Sequence, residues 1–347
     1  MLPLALPRQN FKECDNISVL AADIGGTKTN LGLFKSVNGS MHISQQKLYA
    51  SKDYDSFHKI IKDFISQINC ETPQRLCVGV AGPVLHGRVE TTNLPWKLNA
   101  NILKSETGID EVALINDLEA TAYGLAGVAD EDVITLHKGN DNVLGNIAII
   151  APGTGLGEAG MYWDGSFYHP FPTEGGHAFF GPEDELDAEL LLHLRKTHGQ
   201  VSWEHVACGP AIYAIYLFLR DVKNIPQNAT VEEQLQHSDA SKIISEHAVD
   251  QSCELCVKTM QLFVKYVARE SCNLVLKLKA TGGLFLGGGI PPKIIPLLRN
   301  PLFYKSFTTC DRMEELITTV PVKLINNSQT ALLGAAYFGA FGQEQVF

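Results

Sequence analysis

The stretch from Val19 to Phe34, VLAADIGGTKTNLGLF, decides the fold, because two apolar runs flank an aspartate, two glycines and a threonine. This order predicts a strand, a tight turn and a second strand. Gly25 and Gly26 lack side chains that would keep a ligand from the backbone, so their amides can face an anionic group such as a phosphate. Asp23 would then be a hard oxygen ligand for a magnesium ion beside that phosphate. An ordinary glycine-containing hairpin shows the same pattern, so the rest of the chain must decide.

Length, composition and charge exclude several classes of protein. The chain has 347 residues, 45% of them hydrophobic, which is enough for substantial cores and two domains. The formal net charge of -10 disfavours binding to nucleic acid or to an anionic membrane surface. No apolar run reaches the length of a membrane span or a signal peptide, and the eight cysteines are scattered. We therefore expect a cytoplasmic protein with no nucleic-acid or membrane partner.

Apolar runs alternate with helical periodicities, which predicts an α/β fold. Strands are predicted at 76–81, 112–115, 147–151, 280–286 and 322–325, and helices at 56–68, 183–196, 210–221, 248–278 and 329–341. Asn116 and Asp117 lie where a strand gives way to a helix amino terminus. The C-x-x-C pair Cys253 and Cys256 falls on the predicted buried stripe of the longest helix, which favours a core role over a metal or redox motif.

A second stretch, 147–162, repeats the layout of the opening one as strand, glycine turn (PGTGLG) and apolar return. Its Ala151 stands where the first copy has Asp23, so only the first turn offers a metal ligand. The repeat suggests an internal duplication in which each half contributes a glycine turn. No linker marks a boundary, and we place it near Asp117. The predicted domains are residues 1–116 plus 326–347, which form a small α/β domain, and residues 117–325, which form a large one.

A third glycine turn, Gly287 to Gly289, also follows an apolar strand. Three such turns at the carboxyl ends of strands would converge on one crevice in an α/β architecture. The sequence contains no G-x-x-x-x-G-K-[ST] run and no H-R-D or D-F-G set, so it is neither a P-loop protein nor a protein kinase. Gly155 to Gly160 matches G-x-G-x-x-G and keeps a dinucleotide-binding dehydrogenase open. The aromatic segment MYWDGSFYHP then follows, and not the helix that this motif requires.

The segment PTEGGH, 172–177, is a second unusual site. Glu174 and His177 flank two glycines, so a tight bend could present a carboxylate and an imidazole to one small ligand. This pair suits a polyhydroxylated substrate, because each group can exchange hydrogen bonds with neighbouring hydroxyls. A surface turn for the glutamate and a core position for the histidine are the alternatives.

Several motifs together carry a resemblance to a known family. They are DIGGT at 23–27, IND at 115–117, PGTGLG at 152–157, EGGH at 174–177, E-x-x-x-x-GP at 204–210 and GGGIPPK at 287–293. In this order they resemble the bacterial glucokinase family of the hexokinase and actin-like ATPase superfamily, and they cover residues 19–334. The resemblance implies duplicated ribonuclease H-like domains around a cleft. It also implies ATP- and Mg²⁺-dependent phosphorylation of the 6-hydroxyl of glucose, which feeds glycolysis, and a homodimer.

The resemblance also implies roles for individual residues, matched motif by motif. It assigns Asp117 as the catalytic base, Asp23 as the aspartate that serves the metal directly or through water, and Gly288 as part of the adenosine-side turn. The sugar would be bound by Asn93, Asn116, Asp117, Glu174, His177 and Glu204. The phosphate loops would be Gly25, Gly26 and Thr27 with Gly153, Thr154 and Gly155.

Some residues depart from the family pattern, and other functions stay open. Lys28 and Asn30 replace a common asparagine and arginine, Glu158 replaces an apolar residue after the second glycine turn, and Ala211 replaces a glycine. The related ROK kinases also resemble the chain, but no cysteine lies between Cys77 and Cys208, so we expect no structural zinc. A kinase for another hexose or an amino sugar is the main alternative. A sugar-sensing regulator is another, but it would carry an upstream helix-turn-helix.

Overall fold

The computed structural model describes residues 2–9, 14–68, 72–91, 94–140 and 143–342. The chain divides into two compact units. Unit 1 contains residues 1–132, 160–172 and 327–347, and unit 2 contains residues 133–159 and 173–326. The division near Asp117, proposed from the duplication, stays a proposal. In the part of the chain that the structure describes, no helix has both the length and the apolar character needed to cross a membrane.

Thirteen strands are found among the described residues: β1 Ser18–Ile24, β2 Lys28–Val37, β3 Ser40–Ala50, β4 Arg75–Val80, β5 Arg88–Glu90, β6 Lys97–Asn99, β7 Glu111–Asn116, β8 Val133–His137, β9 Ile147–Pro152, β10 Leu156–Trp163, β11 Tyr168–Thr173, β12 Gly283–Leu286 and β13 Val322–Ile325. The first sheet has the order β3-β2-β1-β4-β7. β1 pairs with β2 in antiparallel fashion and with β4 in parallel, and β4 pairs with β7 in parallel.

The second sheet has the order β11-β10-β9-β12-β13-β8. Apart from the added edge strand β8, this is the order of the first sheet, with a glycine turn after the central strand β9 as after β1. Parallel pairing of β9 with β12 and of β12 with β13 matches the pairing of β1, β4 and β7. The sheets thus share one topology, as the predicted duplication requires.

Thirteen α-helices complete the described part: α1 Phe57–Ile68, α2 Ala100–Thr107, α3 Asp117–Gly124, α4 Glu185–His198, α5 Glu204–Ala207, α6 Gly209–Asp221, α7 Ala229–Leu235, α8 Ala240–Val249, α9 Glu254–Leu278, α10 Ile295–Leu298, α11 Pro301–Thr308, α12 Glu314–Thr318 and α13 Thr330–Phe341.

The single helix predicted for 248–278 is wrong at its start. α8 ends at Val249 and α9 begins at Glu254. Gln251 has a left-handed backbone, with φ of 60°, and such a residue ends helical hydrogen bonding. Cys253 therefore caps α9, and its Sγ accepts a hydrogen bond from the Cys256 amide at 3.5 Å. Both cysteines are buried, which agrees with the predicted core role.

Each unit has its own core. In unit 1, apolar side chains of β1, β4 and β7 pack with α1, as Leu20, Val78, Leu114 and Phe64 illustrate. α13 packs closely on α3 in the same unit, where a Cβ added to Gly334 would lie 2.7 Å from the carbonyl carbon of Ala120. Only glycine permits this approach between the two helices.

In unit 2, helix α9 lies in the core and carries a buried ionic network. Asp187 is fully buried, and its Oδ2 accepts a hydrogen bond from Arg269 Nη1 at 2.6 Å. Tyr266 donates its hydroxyl to Asp187 Oδ1 at 2.8 Å, and Lys265 Nζ lies 3.2 Å from the same oxygen. A buried carboxylate needs such partners, because removing one leaves an uncompensated charge.

Candidate active site

In unit 1, the strand register brings Asp23 and Asp117 to the same edge of the first sheet. Asp23 pairs with Gly79 of β4, and Gly79 pairs with Ile115 of β7, two residues before Asp117. Gly79 carries no side chain, and a Cβ there would lie 3.1 Å from the Cβ of Ala120 and 3.9 Å from the Cα of Asp117. The missing side chain lets the first turn of α3 lie against the strands, so the two carboxylates are neighbours at the carboxyl ends of parallel strands.

The two carboxylates interact electrostatically. Burial, and to a smaller extent the neighbouring charge of Asp117, raise the pKa of Asp23 to about 7. Asp117 is the first residue of α3, and its Oδ1 accepts a hydrogen bond from the Leu118 amide at 2.9 Å. Each carboxylate disfavours the negative charge on the other. A cation bound between them would relieve this repulsion. The donor set of this edge therefore fits a divalent cation.

The first glycine turn is held from inside unit 1. The Gly25 amide donates to the Lys28 carbonyl at 2.9 Å, so this amide closes the turn and does not face a ligand. Ser51, which is fully buried, donates its hydroxyl to the Gly25 carbonyl at 3.0 Å and its amide to the Thr27 carbonyl at 3.0 Å. Among the described residues no acceptor is found for the amides of Gly26 and Thr27. Ser51 was not predicted, because nothing in a polar segment marks it as a support for the turn.

Asn116 is occupied with capping α3. Its Oδ1 accepts hydrogen bonds from the amides of Leu118 at 2.9 Å and Glu119 at 3.3 Å, and its Nδ2 reaches the Gly82 carbonyl at 3.4 Å. This cap fixes the start of the helix on which Asp117 stands. Asn93, predicted as a sugar ligand, lies outside the described residues.

In unit 2, the second glycine turn packs against Glu204. The Gly153 amide donates to the Gly155 carbonyl at 2.8 Å, which closes the turn, and the Gly153 carbonyl accepts from the Gly209 amide at 2.8 Å. Glu204 Oε2 accepts the Leu156 amide at 2.8 Å, and a Cβ on Gly155 would overlap with this carboxylate. Glu204 is thus fixed directly beside the turn, and the amides of Thr154 and Gly155 have no acceptor among the described residues.

The EGGH bend lies on the same turn within unit 2. Its backbone is closed by the His177 amide donating to the Glu174 carbonyl at 3.1 Å. A Cβ on Gly176 would lie 3.1 Å from the carbonyl carbon of Leu156, so glycine is needed for this approach. Both Glu174 and His177 are exposed. The Trp203 amide donates to the carbonyl of Ala178 at 3.0 Å, which ties the bend to the segment that carries Glu204. These contacts therefore bring the two segments that carry Glu174, His177 and Glu204 to the same glycine turn.

The third glycine turn lies against the second one. Gly288 has a φ of 81°, and a Cβ there would lie 3.0 Å from the carbonyl carbon of Ala151. The Ile290 amide donates to the Pro152 carbonyl at 3.3 Å. Two of the three predicted loops thus adjoin one another in unit 2, and the first loop adjoins Asp117 in unit 1. Over the described ranges, no three His, Cys, Asp or Glu side chains group as metal ligands, and the expected lack of zinc stays a prediction.

Comparison with known proteins identifies the family. Residues 20–341 match the family model for glucokinase. A glucokinase from Trichormus variabilis is 39% identical over 337 residues, which cover 93% of this chain and 98% of the relative.

Solved structures share the fold. The crystal structure of a glucokinase from an Antarctic psychrotroph has a TM-score of 0.78 and 31% identity, and the match covers 93% of this chain and 98% of that one. A ROK family glucokinase from Streptomyces griseus, solved in complex with glucose and AMPPNP, has a TM-score of 0.63 at 20% identity, with 93% and 99% covered, and this likeness supports the actin-like ATPase fold alone. The chain therefore belongs to the glucokinase family of ATP-dependent hexose kinases.

Proposed function

We propose that this protein transfers the γ-phosphoryl group of ATP to the 6-hydroxyl of glucose, with Asp117 as general base, and that the product feeds glycolysis. The observation that carries the proposal is the position of Asp117 beside Asp23 at the carboxyl ends of neighbouring parallel strands. One carboxylate can accept a proton while the other serves the metal that accompanies the phosphates.

In the proposed reaction the 6-hydroxyl oxygen attacks the γ-phosphorus. A new oxygen–phosphorus bond forms, the bond to the β–γ bridging oxygen breaks, and ADP leaves with that electron pair. Asp117 accepts the hydroxyl proton. The transition state of phosphoryl transfer is loose, so positioning and charge neutralisation provide most of the rate enhancement. A positioned base contributes about 10²- to 10⁴-fold.

The phosphates would be bound by backbone amides of two glycine turns. The amides of Gly26 and Thr27 in the first turn, and of Thr154 and Gly155 in the second, have no protein acceptor among the described residues. Gly25 and Gly153 would support these turns from within, and Gly288 would lie on the adenosine side. Bound Mg²⁺ would neutralise phosphate charge, with Asp23 as its protein ligand, directly or through water.

The sugar would be bound by carboxylate, amide and imidazole side chains. Glu174, His177 and Glu204 are assigned to its hydroxyls, because the bend and the glutamate adjoin the phosphate turn. Asn116 could add one donor, since capping uses only its oxygen. The glucokinase family match and the glucokinase relative from Trichormus variabilis, at 39% identity, support glucose and ATP as the pair of substrates.

The variant Asp117→Asn tests the proposal. We expect kcat for glucose to fall about 10²- to 10⁴-fold, because the amide cannot accept the proton. The glucose dissociation constant, measured by tryptophan fluorescence, should change much less, since Asn keeps the shape. Turnover within about threefold of the wild type would contradict the assignment of the base.

We also infer a homodimer in a reducing cytoplasm, on the strength of the family resemblance and the scattered cysteines. Light scattering on the eluted protein should give twice the monomer mass. A monomer at assay concentration would contradict this inference.

A further inference from the structure

Glu158 is a buried carboxyl group that the proposed mechanism does not use. It lies on β10 directly after the second glycine turn, and its side chain is 1% exposed. Among the described residues, no donor reaches either of its carboxyl oxygens. An ionised carboxylate without donors is costly to bury, so the protonated form is favoured there. Burial accordingly raises the pKa of Glu158.

The group that faces Glu158 is a second buried carboxyl, Glu270 of α9, which is 0% exposed. Glu270 accepts hydrogen bonds from Asn273 Nδ2 at 2.8 Å and from Lys277 Nζ at 3.3 Å. These donors favour the charge on Glu270, whereas Glu158 has none. The negative charge of Glu270 raises the pKa of Glu158, and the positive charge of Lys277 lowers it to a smaller extent. Only a proton can join two carboxyl groups, and this asymmetry places it on Glu158.

Glu158 also supports the EGGH bend. A Cβ on Gly175 would overlap with Glu158 Oε2 and would lie 2.8 Å from its Cδ, so the carboxyl group packs directly on this glycine. The Glu158 carbonyl accepts the Thr173 hydroxyl at 3.2 Å, and the same Oγ1 accepts the Gly175 amide at 3.2 Å. Both the side chain and the backbone of Glu158 therefore contact the loop that carries Glu174 and His177.

We propose that Glu158 is a positioning residue whose proton holds the 174–177 loop in its sugar-binding form, and that loss of this proton at alkaline pH releases the loop. This inference rests on the proposed role of the loop in glucose binding. When Glu158 loses its proton, two carboxylates face one another in a low-dielectric core. Glu158 packs on Gly175, whose amide now donates to Thr173 Oγ1, so the ionised group would draw the amides of the loop from their present partners.

The variant Glu158→Gln tests the proposal, because its amide donates to Glu270 at every pH and keeps the shape of the side chain. In the wild type, KM for glucose should rise above the pKa of Glu158 by up to about tenfold per pH unit, measured from pH 6.5 to 9.5 at saturating ATP. In Glu158→Gln, KM should stay within about twofold over this range. Glu158→Ala, which removes the packing of the carboxyl group on Gly175, should raise KM for glucose at every pH. The exposed control Glu189→Gln, on α4 of the same unit, should keep the wild-type profile. A rise of KM with pH in Glu158→Gln equal to that of the wild type would overturn the proposal.

A second measurement needs no sugar. Hydrogen exchange of the peptide 173–178, corrected for the intrinsic effect of pH, should be about tenfold faster in the wild type than in Glu158→Gln at pH 9, and equal at pH 6.5. Equal exchange at both pH values would overturn the positioning role. Failure of the wild type to phosphorylate glucose would overturn the proposed function. The hydrogen-exchange experiment would still test the coupling between Glu158 and the loop, because it does not depend on the sugar.

Discussion

The substitution Asp23→Asn should stabilise the metal-free protein at pH 8 while it impairs catalysis. Asp23 has a pKa raised from 3.8 to about 7 by burial and by the neighbouring charge of Asp117. Between these two pKa values the folded protein binds more protons than the unfolded chain, so the free energy of unfolding falls as pH rises. Asparagine keeps the shape of the side chain but does not ionise, so the variant lacks this fall in the free energy of unfolding.

The size of the effect follows from the shift. About three pKa units correspond to roughly 4 kcal/mol at 1.36 kcal/mol per unit. Asp23 keeps part of its side chain on the surface, so we halve the figure to about 2 kcal/mol for solvent screening. Part of this loss has already occurred at pH 5. We therefore expect the stability of Asp23→Asn relative to the wild type to increase by about 1 to 2 kcal/mol between pH 5 and pH 8.

Urea unfolding at the two pH values, in chelator and followed by tryptophan fluorescence, measures this difference, because Trp96 is buried in the same unit and contributes to the signal. The exposed Asp53→Asn is the matched control and should show no such trend. Added Mg²⁺ with ADP should stabilise the wild type more than Asp23→Asn. A stability difference that does not change with pH, or that favours the wild type at pH 8, would refute the electrostatic reasoning.

Three further substitutions test other contacts. Gly334→Ala should destabilise unit 1 by about 1 to 3 kcal/mol in urea unfolding, because its Cβ collides with α3, whereas Gly181→Ala, which meets open space, should be near neutral. Asp187→Asn should cost about 3 to 5 kcal/mol in the same assay, because it removes the buried charge that pairs with Arg269 and leaves that arginine only the exposed Glu183, and a cost under 1 kcal/mol would argue against the network. Gly155→Ala should raise KM for glucose about tenfold or more by displacing Glu204, and an unchanged KM would argue against that contact.

The sequence predicted the elements that are buried and regular. The central strands β1, β4 and β9 are continuous apolar runs, because both faces of each sheet are covered, and such runs are visible without a structure. Strand β3 was not predicted, since most of its residues are exposed and no alternation of apolar and polar residues marks it. The break between α8 and α9 could not be predicted from the sequence either. The residue with the left-handed backbone is Gln251, and neither glycine nor proline marks the position as a helix end.

The sequence predicted the candidate site as a set of motifs. The contacts that each residue makes within the protein could be read only from the structure. Asn116 has the residue type of a sugar ligand, yet its oxygen caps α3. Gly25 was predicted to offer its amide to a phosphate, and this amide instead closes its own turn. The support given by Ser51 and by Glu158 comes from residues distant in sequence, and no local pattern encodes such contacts.

The central claim is phosphorylation of glucose at its 6-hydroxyl, and a panel of sugars tests it most directly. The purified protein would be incubated with ATP, Mg²⁺ and glucose, fructose, mannose, glucosamine, N-acetylglucosamine or N-acetylmannosamine, with ADP release as the readout and phosphorus NMR to locate the new phosphate. We predict the highest kcat/KM for glucose, with glucose 6-phosphate as the product and loss of the signal in Asp117→Asn. Release of ADP with N-acetylated sugars and none with glucose would contradict the substrate assignment.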